Sequence, residues 1–371
     1  MKLLIPGPVT THPSVRAALA QDFAPWDNEF RPIYAAVRAR VLAIAGGVPG
    51  RHVALALQGC GHFITEAALR TFLPIGGKIL IPTTGSYSDR MIRLATEAGR
   101  IAIPLPIDPA RPADPGAIAA ALAADPAISH VGIVYSETGS GVIHDALAIG
   151  RAAHAAGRRT IVDAVSAFGA LPLDISAQPE IDAAVFTSNK CIEGVPGLGF
   201  AVCPTERLEA SAGNAGSWSF DLADIYQHGV RSAPGTFRFT PPAQVLVAFA
   251  TALDLFEAEG GQPARLARYT ANMRALYDGV CALGLSPCLA PEHQGPIVVN
   301  IAAPDDPAWN LQAFVDALKA RGFLISNFYN TVSPSFRVAC IGAITPADMR
   351  QAVTAIGAAL EQIGVQRRRA A

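Results

Sequence analysis

The sequence predicts an α/β protein: a large part built on a mostly parallel β-sheet, followed by a smaller α+β part. Two observations carry this expectation. Between residues 53 and 186, short apolar runs alternate with longer stretches of helical periodicity, as in parallel strands joined by helices. After about residue 245 the rhythm gives way to two long helical stretches, then strands and helices mixed. The chain has 371 residues and is 51% hydrophobic, enough to bury a large core.

In order, Pro6-Gly7-Pro8-Val9-Thr10-Thr11 reads as rigid and extended, and Ser14 as the cap of a short helix over 15–21. Residues 26–30 read as a loop. A helical apolar face over 34–45 stops at Gly46-Gly47. Strands are expected at 53–57, 78–82, 101–105, 131–135, 160–163 and 183–186, with helices at 63–73, 87–98, 115–123 and 146–156. Beyond 245, helices are expected at 245–258, 264–283, 311–320 and 346–363, and strands at 297–301, 323–325 and 336–338. No short internal repeat is present.

Lys plus Arg is 29 and Asp plus Glu is 30, so no basic footprint points to nucleic acid. No apolar run reaches the ~18 residues of a membrane span, and Pro6 follows the start too soon for a secretory signal. The six cysteines show no paired metal spacing and read as reduced thiols of a cytoplasmic protein. The arginines at 367, 368 and 369 read as a frayed, solvated end.

The chemistry gathers at strand ends, where open α/β sheets bind ligands. The apolar run 181–186 feeds Lys190, which precedes the glycine- and proline-broken turn Gly194-Val195-Pro196-Gly197. Burying an ammonium is costly, and desolvation frees its lone pair for Schiff-base chemistry. Asp163 ends another apolar strand, about one βαβ step earlier, so the two can face one crevice; it can also serve as a helix cap. Gln58-Gly59-Cys60-Gly61-His62 joins a strand to a helix and suits phosphate, though a tight turn explains it equally well. Tyr87 opens a helix at the same edge, either as a packed aromatic or as a flat face against a flat cofactor. Ser136-Glu137-Thr138-Gly139-Ser140-Gly141 is a hydroxyl-rich turn. Together these parts describe a site for pyridoxal 5'-phosphate: lysine for the aldehyde, carboxylate for the ring nitrogen, helix start for the phosphate, aromatic over the ring.

The chain resembles the class V aminotransferases of fold type I, and within them the transaminases of 2-aminoethylphosphonate and pyruvate. The matching stretches are Trp26-Asp27, Ser136-Glu137-Thr138, Ile161-Val162-Asp163-Ala164, Phe237-Arg238-Phe239-Thr240 and Phe336-Arg337. The most specific is Ser188-Asn189-Lys190-Cys191-Ile192-Glu193-Gly194-Val195-Pro196-Gly197. The resemblance implies that Lys190 carries the cofactor and shuttles the proton, and that Asp163 keeps the ring nitrogen protonated. Cys60, Gly61 and His62 would hold the phosphate, Tyr87 would stack on the ring, Thr138 would lie near the ring hydroxyl, and Asn189 would be a further cofactor contact. Arg337 would bind the acidic end of the substrate, with Thr10 and Trp26 as further substrate contacts. Thr240 would reach the cofactor of a second subunit, which implies a homodimer. The partners so implied are a small-molecule amino donor and a 2-oxo acid. The expected division is a large cofactor-binding unit over 16–245 and a small unit over 246–371 that includes 1–15.

This chain departs from the pattern in three places. The family's phosphate loop is usually Ser-Gly-Ser/Thr, whereas this one is Cys60-Gly61-His62, and Gly-His with Glu66-Ala67-Ala68-Leu69 after it is similar to alanine–glyoxylate transaminases. The segment before Arg337 usually carries Pro-Gly-Lys; here it is Ser326-Asn327-Phe328-Tyr329-Asn330. Cys340 is more often Asn. Three other readings therefore stand beside the phosphonate one: an alanine–glyoxylate or serine–pyruvate transaminase, a cysteine desulfurase, and a non-catalytic cofactor-binding module.

Overall fold

The computed structural model describes residues 1–231, 235–329 and 331–366. Asn330 and the arginines at 367–369 lie outside the described residues. The chain opens with β1 (Lys2–Leu3) and α1 (Pro13–Ala17), and α2 (Phe30–Ile44) leads to β2 (His52–Gly59). The expected alternation comes next: α3 (Gly61–Phe72), β3 (Lys78–Thr83), α4 (Ser86–Glu97), β4 (Ile101–Pro106), α5 (Pro115–Ala124), β5 (Ile128–Val134), α6 (Ala146–Ala155), β6 (Arg159–Asp163) and β7 (Ile181–Thr187). Beyond it lie β8 (Gly197–Pro204), α7 (Thr205–Ala210), α8 (Leu222–Ile225), α9 (Ala243–Glu259) and α10 (Gly261–Ala282). The chain ends through β9 (Val298–Ala302), α11 (Leu311–Ala320), β10 (Phe323–Leu324), β11 (Ser335–Ala339) and α12 (Pro346–Gln362).

Local chemistry sets many of these boundaries. Asp114 caps α5 by accepting the N–H groups of Gly116 and Ala117, with Pro115 in the first turn, where its missing N–H costs nothing. Thr345 and Asp348 cap α12 reciprocally. Gly260, in the left-handed region at φ 111°, ends α9. The first helix differs from expectation in its cap. His12, not Ser14, holds the start, because Pro13 pre-sets the first turn and the His12 ring accepts the Ser14 N–H.

Seven strands form one sheet in the order β2-β8-β7-β6-β5-β3-β4. β3, β4, β5, β6 and β7 pair in parallel; β8 runs antiparallel between β7 and β2. β2 therefore points the same way as β7, and the carboxyl ends of six strands share one edge. β7 is buried along its whole length, as an interior parallel strand requires, whereas β4 at the margin is half exposed. β8 was not foreseen, because its glycines and the turn before it read as a loop. Nor is the β6–β7 connection the helix of a βαβ step. Gly169, Pro172 and Pro179 break it into turns, which still bury Phe168, Leu171 and Ile175.

One apolar core lies on α2, α5, α6 and α9 against the sheet, and another on α3 and α4 against its other side. A third is made by α10, α11, α12, β9 and β11 together with Leu4. The start of the chain joins this last core because β1 pairs in parallel with β10, Lys2 opposite Phe323.

Candidate active site

The strand ends converge on a cavity of roughly 190 Å³ lined by residues far apart in sequence. Cys60, Gly61 and His62 come from the start of α3, Tyr87 from the start of α4, Asp163 from the end of β6, and Asn189 and Lys190 from the turn after β7. β6 and β7 are parallel neighbours, with Asp163 opposite Val185, which brings carboxylate and lysine to one edge.

The lysine turn is held from several sides. Phe186 stacks between Phe168, at 3.7 Å, and Phe200, at 5.1 Å, beneath it. Ser188 donates its hydroxyl to Val195 O at 2.6 Å, and Gly194 donates its N–H to Ser188 O at 2.9 Å. Gly194 must be glycine: a Cβ there would stand 2.8 Å from Ser188 O and 2.9 Å from the Phe249 ring. Glu193, at φ 65°, accepts from Arg268 Nη2 and from the Tyr269 hydroxyl, each at 2.7 Å, and Arg265 donates to Cys191 O. The turn is thus bolted to α10.

Desolvation lowers the Lys190 pKa from that of a free amine, against the opposing influence of Tyr87, Cys191 and Asp163. Burial pushes Asp163 up to about 6, although the Val165 N–H, Arg90 and Lys190 favour its charge. Val165 N–H reaches Asp163 Oδ1 at 3.0 Å, so the carboxylate holds the turn after β6 as well as facing the cavity. Burial would raise the Tyr87 hydroxyl, but Lys190, Thr138, Arg337 and Arg90 outweigh it and lower it. Arg90 lies over the Tyr87 ring at 4.9 Å. Arg337, buried on β11, donates Nη1 to Thr138 O at 3.0 Å and has the Phe328 ring over it at 5.3 Å.

α3 starts at Cys60 without a side-chain cap, which leaves first-turn N–H groups for an anion. Thr65 and Thr187 line the cavity, and their hydroxyls are buried without a hydrogen-bond partner among the described residues. Such orphaned groups are costly unless something arrives to satisfy them. An amine of lowered pKa, a carboxylate, an uncapped helix start and unsatisfied hydroxyls fit pyridoxal 5'-phosphate.

Thr10, Trp26 and Thr240 do not line this cavity. Thr10 pairs its hydroxyl with the Leu3 backbone at 2.7 Å, Trp26 is 74% exposed, and Thr240 is exposed just before α9. Sequence reasoning also missed several participants. Gly7 lines the cavity against Lys190, and the proline on each side of it was the only hint. Arg90, one turn after Tyr87, and Thr65, one turn into α3, carry the helical spacing that could have revealed them. Cys340 is fully buried just after β11, and burial raises its thiol pKa, which does not suit the nucleophile of a cysteine desulfurase.

A family model described as aminotransferase class-V matches residues 26–327. The chain is 44% identical over 99% of its length to a 2-aminoethylphosphonate–pyruvate transaminase of Burkholderia ambifaria, covering 97% of that protein. It is 41% identical over 98% of its length to one of Cupriavidus pinatubonensis, covering 95%. Among solved structures, pyridoxamine–pyruvate aminotransferase of Mesorhizobium loti superposes with a TM-score of 0.89 at 25% identity, over 99% of this chain and 93% of that one. An aspartate aminotransferase of Thermus thermophilus superposes with a TM-score of 0.86 at 24% identity, over 98% of this chain and all of that one, and so shares the fold. The sequence of the lysine turn, the sheet order and these likenesses agree: the chain belongs to the class V aminotransferases, pyridoxal-phosphate enzymes of fold type I.

Proposed function

We propose that this enzyme transfers the amino group of 2-aminoethylphosphonate to pyruvate, giving phosphonoacetaldehyde and L-alanine. The observation that carries this reading is near-full-length identity of 41–44% to relatives named for that reaction. When bound, the cofactor supplies an aldehyde that takes up the amino group and a ring that accepts electrons. Lys190 holds the aldehyde and then, freed as an amine of lowered pKa, takes and returns a proton at Nζ. Asp163 keeps a proton on the ring nitrogen. The N–H groups at Cys60, Gly61 and His62 hold the phosphate, Tyr87 walls the ring, and Asn189 and Thr138 complete the contacts. Arg337 binds the phosphonate of the donor and then the carboxylate of the acceptor, because its planar fork suits both.

The reading extends to assembly. Thr240 of one subunit serves the cofactor of another across a two-fold interface, and Thr10 and Trp26 support the substrate side. In support, Trp218 and Phe239 are 66% and 42% exposed, and their rings stand 5.0 Å apart beside Thr240. An aromatic patch of this kind marks an interaction surface. A fully active monomer at low concentration would exclude the dimer. The proposed division is a large unit over 16–245 and a small unit over 246–371 with 1–15. The separate core of the final elements with Leu4 supports a second unit, while α9 packs Leu246, Phe249, Leu253 and Phe256 on the large core and so favours a boundary at its end. Cytoplasmic residence is supported by six unpaired cysteines, three of them buried. Among the described residues, no helix is long and apolar enough to cross a membrane.

One observation favours a second reading, an alanine–glyoxylate or serine–pyruvate transaminase. Where the family resemblance implies a lysine-bearing turn, this chain sets Phe328 over Arg337, which leaves less positive charge for a dianion. Single-turnover conversion of the bound cofactor to its amine form, donor by donor, separates the two. 2-Aminoethylphosphonate reacting fastest supports the proposal; alanine or serine reacting far faster replaces it with the second reading.

A further inference from the structure

Glu137 is wholly buried in the turn after β5, yet the transamination chemistry above gives it no part. Its carboxylate reaches into the start of α4: Oε2 accepts the Tyr87 N–H at 3.2 Å and Oε1 accepts the Gly139 N–H at 3.0 Å. The helix leaves room for it. The residue before α4 is Gly85, and a Cβ there would stand 2.8 Å from the Glu137 carboxyl carbon. A helix start carries free N–H groups and partial positive charge, so a carboxylate from another segment serves as its cap. The turn that carries Glu137 is itself closed, with Glu137 N–H on Val142 O at 3.0 Å and Gly141 N–H on Glu137 O at 2.8 Å. The next residue, Thr138, offers the carbonyl that holds Arg337. One carboxylate therefore ties together the helix bearing Tyr87 and the turn that orients Arg337.

We propose that Glu137 is a positioning residue whose ionised carboxylate fixes Tyr87 and, through Thr138, Arg337, so that capture of the substrate anion fails when Glu137 is protonated. The proposal rests on the reading of Arg337 as the anion-binding residue. Protonation turns one carboxyl oxygen into a donor, and it then faces the Tyr87 or Gly139 N–H it formerly accepted. Burial pushes this carboxyl up to about 7, while the N–H groups of Gly139, Tyr87 and Ser88 hold it down and Asp163 raises it further. The charged and titratable groups around it are Asp163 from β6, Tyr87 from α4 and Arg337 from β11, with Lys190 next to Tyr87.

The test measures propionate binding to the cofactor-loaded enzyme by calorimetry. Propionate is a carboxylate whose own charge stays constant above about pH 6. In the parent enzyme Kd rises about tenfold from pH 8 to pH 6, because each unit below the midpoint removes tenfold of the ionised form. Glu137→Gln binds about tenfold more weakly at pH 8, and its Kd does not change down to pH 6. Arg337→Lys binds more weakly at both pH values and loses most of the parent's slope, because Glu137 acts on the anion through Arg337. A flat Kd in the parent, or the parent's slope in Glu137→Gln, overturns the proposal. If Glu137→Gln does not fold, Glu137→Asp replaces it; the shorter arm must move the midpoint, and an unmoved midpoint overturns the proposal. Parent-like binding by Arg337→Lys overturns the arginine reading instead, and shows as loss of the Arg337 effect rather than of the pH slope.

Discussion

Gly7 is the most sharply constrained residue of the cavity, and its replacement by alanine tests whether the backbone of residues 6–8 positions the lysine. A Cβ at Gly7 would stand 2.5 Å from Lys190 Nζ and 2.6 Å from its Cε and Cδ. Non-bonded carbons rest at about 3.5–4.0 Å, so one partner must move by roughly 1 Å. The backbone has little freedom to do so. Leu4 donates to Leu324 O at 2.8 Å and accepts from Ala339 at 2.9 Å, Pro6 and Pro8 fix their own φ, and Val9 is buried. The φ of 152° at Gly7 adds strain for any residue with a Cβ. The lysine tip therefore moves. A misplacement of about 1 Å at a reacting group costs on the order of 100-fold, or about 2.7 kcal/mol in the barrier. Gly7→Ala should lower kcat about 100-fold in a coupled assay of alanine formation. Borohydride should still trap the cofactor on Lys190, and the thermal midpoint should move by only a few degrees. A variant within threefold of the parent's kcat refutes the argument.

Lys190→Ala should abolish both turnover and the borohydride-trappable link, and full activity in that variant would remove the lysine from the mechanism. Asp163→Asn keeps the shape and removes the charge; it should slow single-turnover proton transfer far more than it weakens cofactor binding, whereas an unchanged rate with intact folding would leave Asp163 only its hydrogen bond to Val165. Asp182 lies wholly buried at the opposite end of the sheet, accepting from His130 at 3.0 Å and from Arg159 and Arg207 at 2.5 and 2.8 Å. Asp182→Asn should cost about 3–5 kcal/mol by denaturant titration, since it leaves two guanidinium groups uncompensated. Burial opposes the Asp182 charge, but His130, Arg207 and Arg159 outweigh it and lower its pKa. Its stabilisation is therefore fully present above the unfolded carboxyl pKa of about 3.9 and is lost as pH falls toward the lower folded value. A parent that loses no more stability than Asp182→Asn across that acid range would contradict this.

The alternation of strands and helices was legible because a buried parallel sheet writes its strands as uninterrupted apolar runs. β7 is the plainest case, apolar from Ala183 to Phe186 and buried along its whole length. β8 was hidden because Gly197 and Gly199 serve close packing rather than a loop: a Cβ on Gly199 would stand 2.7 Å from Ile64. The site was legible where chemistry comes directly after a strand end, as at Cys60, Asp163 and Lys190. It was illegible where two distant segments share one task. Thr10 carries a hydroxyl that looks free in the sequence but meets the Leu3 backbone once the chain turns at Pro6-Gly7-Pro8.

The same distinction explains why the run from Ser188 to Gly197 is so specific. Lys190 alone needs only a strand end. Cys191 and Glu193 answer instead to side chains 74 to 78 positions later: Arg265 and Tyr269 meet Cys191 O, and Arg268 and Tyr269 meet Glu193. Arg268 also donates Nη1 to Gly342 O at 2.7 Å and to Ile344 O at 2.9 Å, just beyond the strand that carries Arg337. Glu193 thus lies one side chain away from the backbone just past the strand that carries Arg337. On the proposed roles, Lys190 must meet its substrate to within a fraction of an ångström, which needs its own turn and Arg337 in one frame. Glu193, Arg268 and the carbonyls at 342 and 344 provide that frame on one side, and Glu137 with Thr138 provides it on the other.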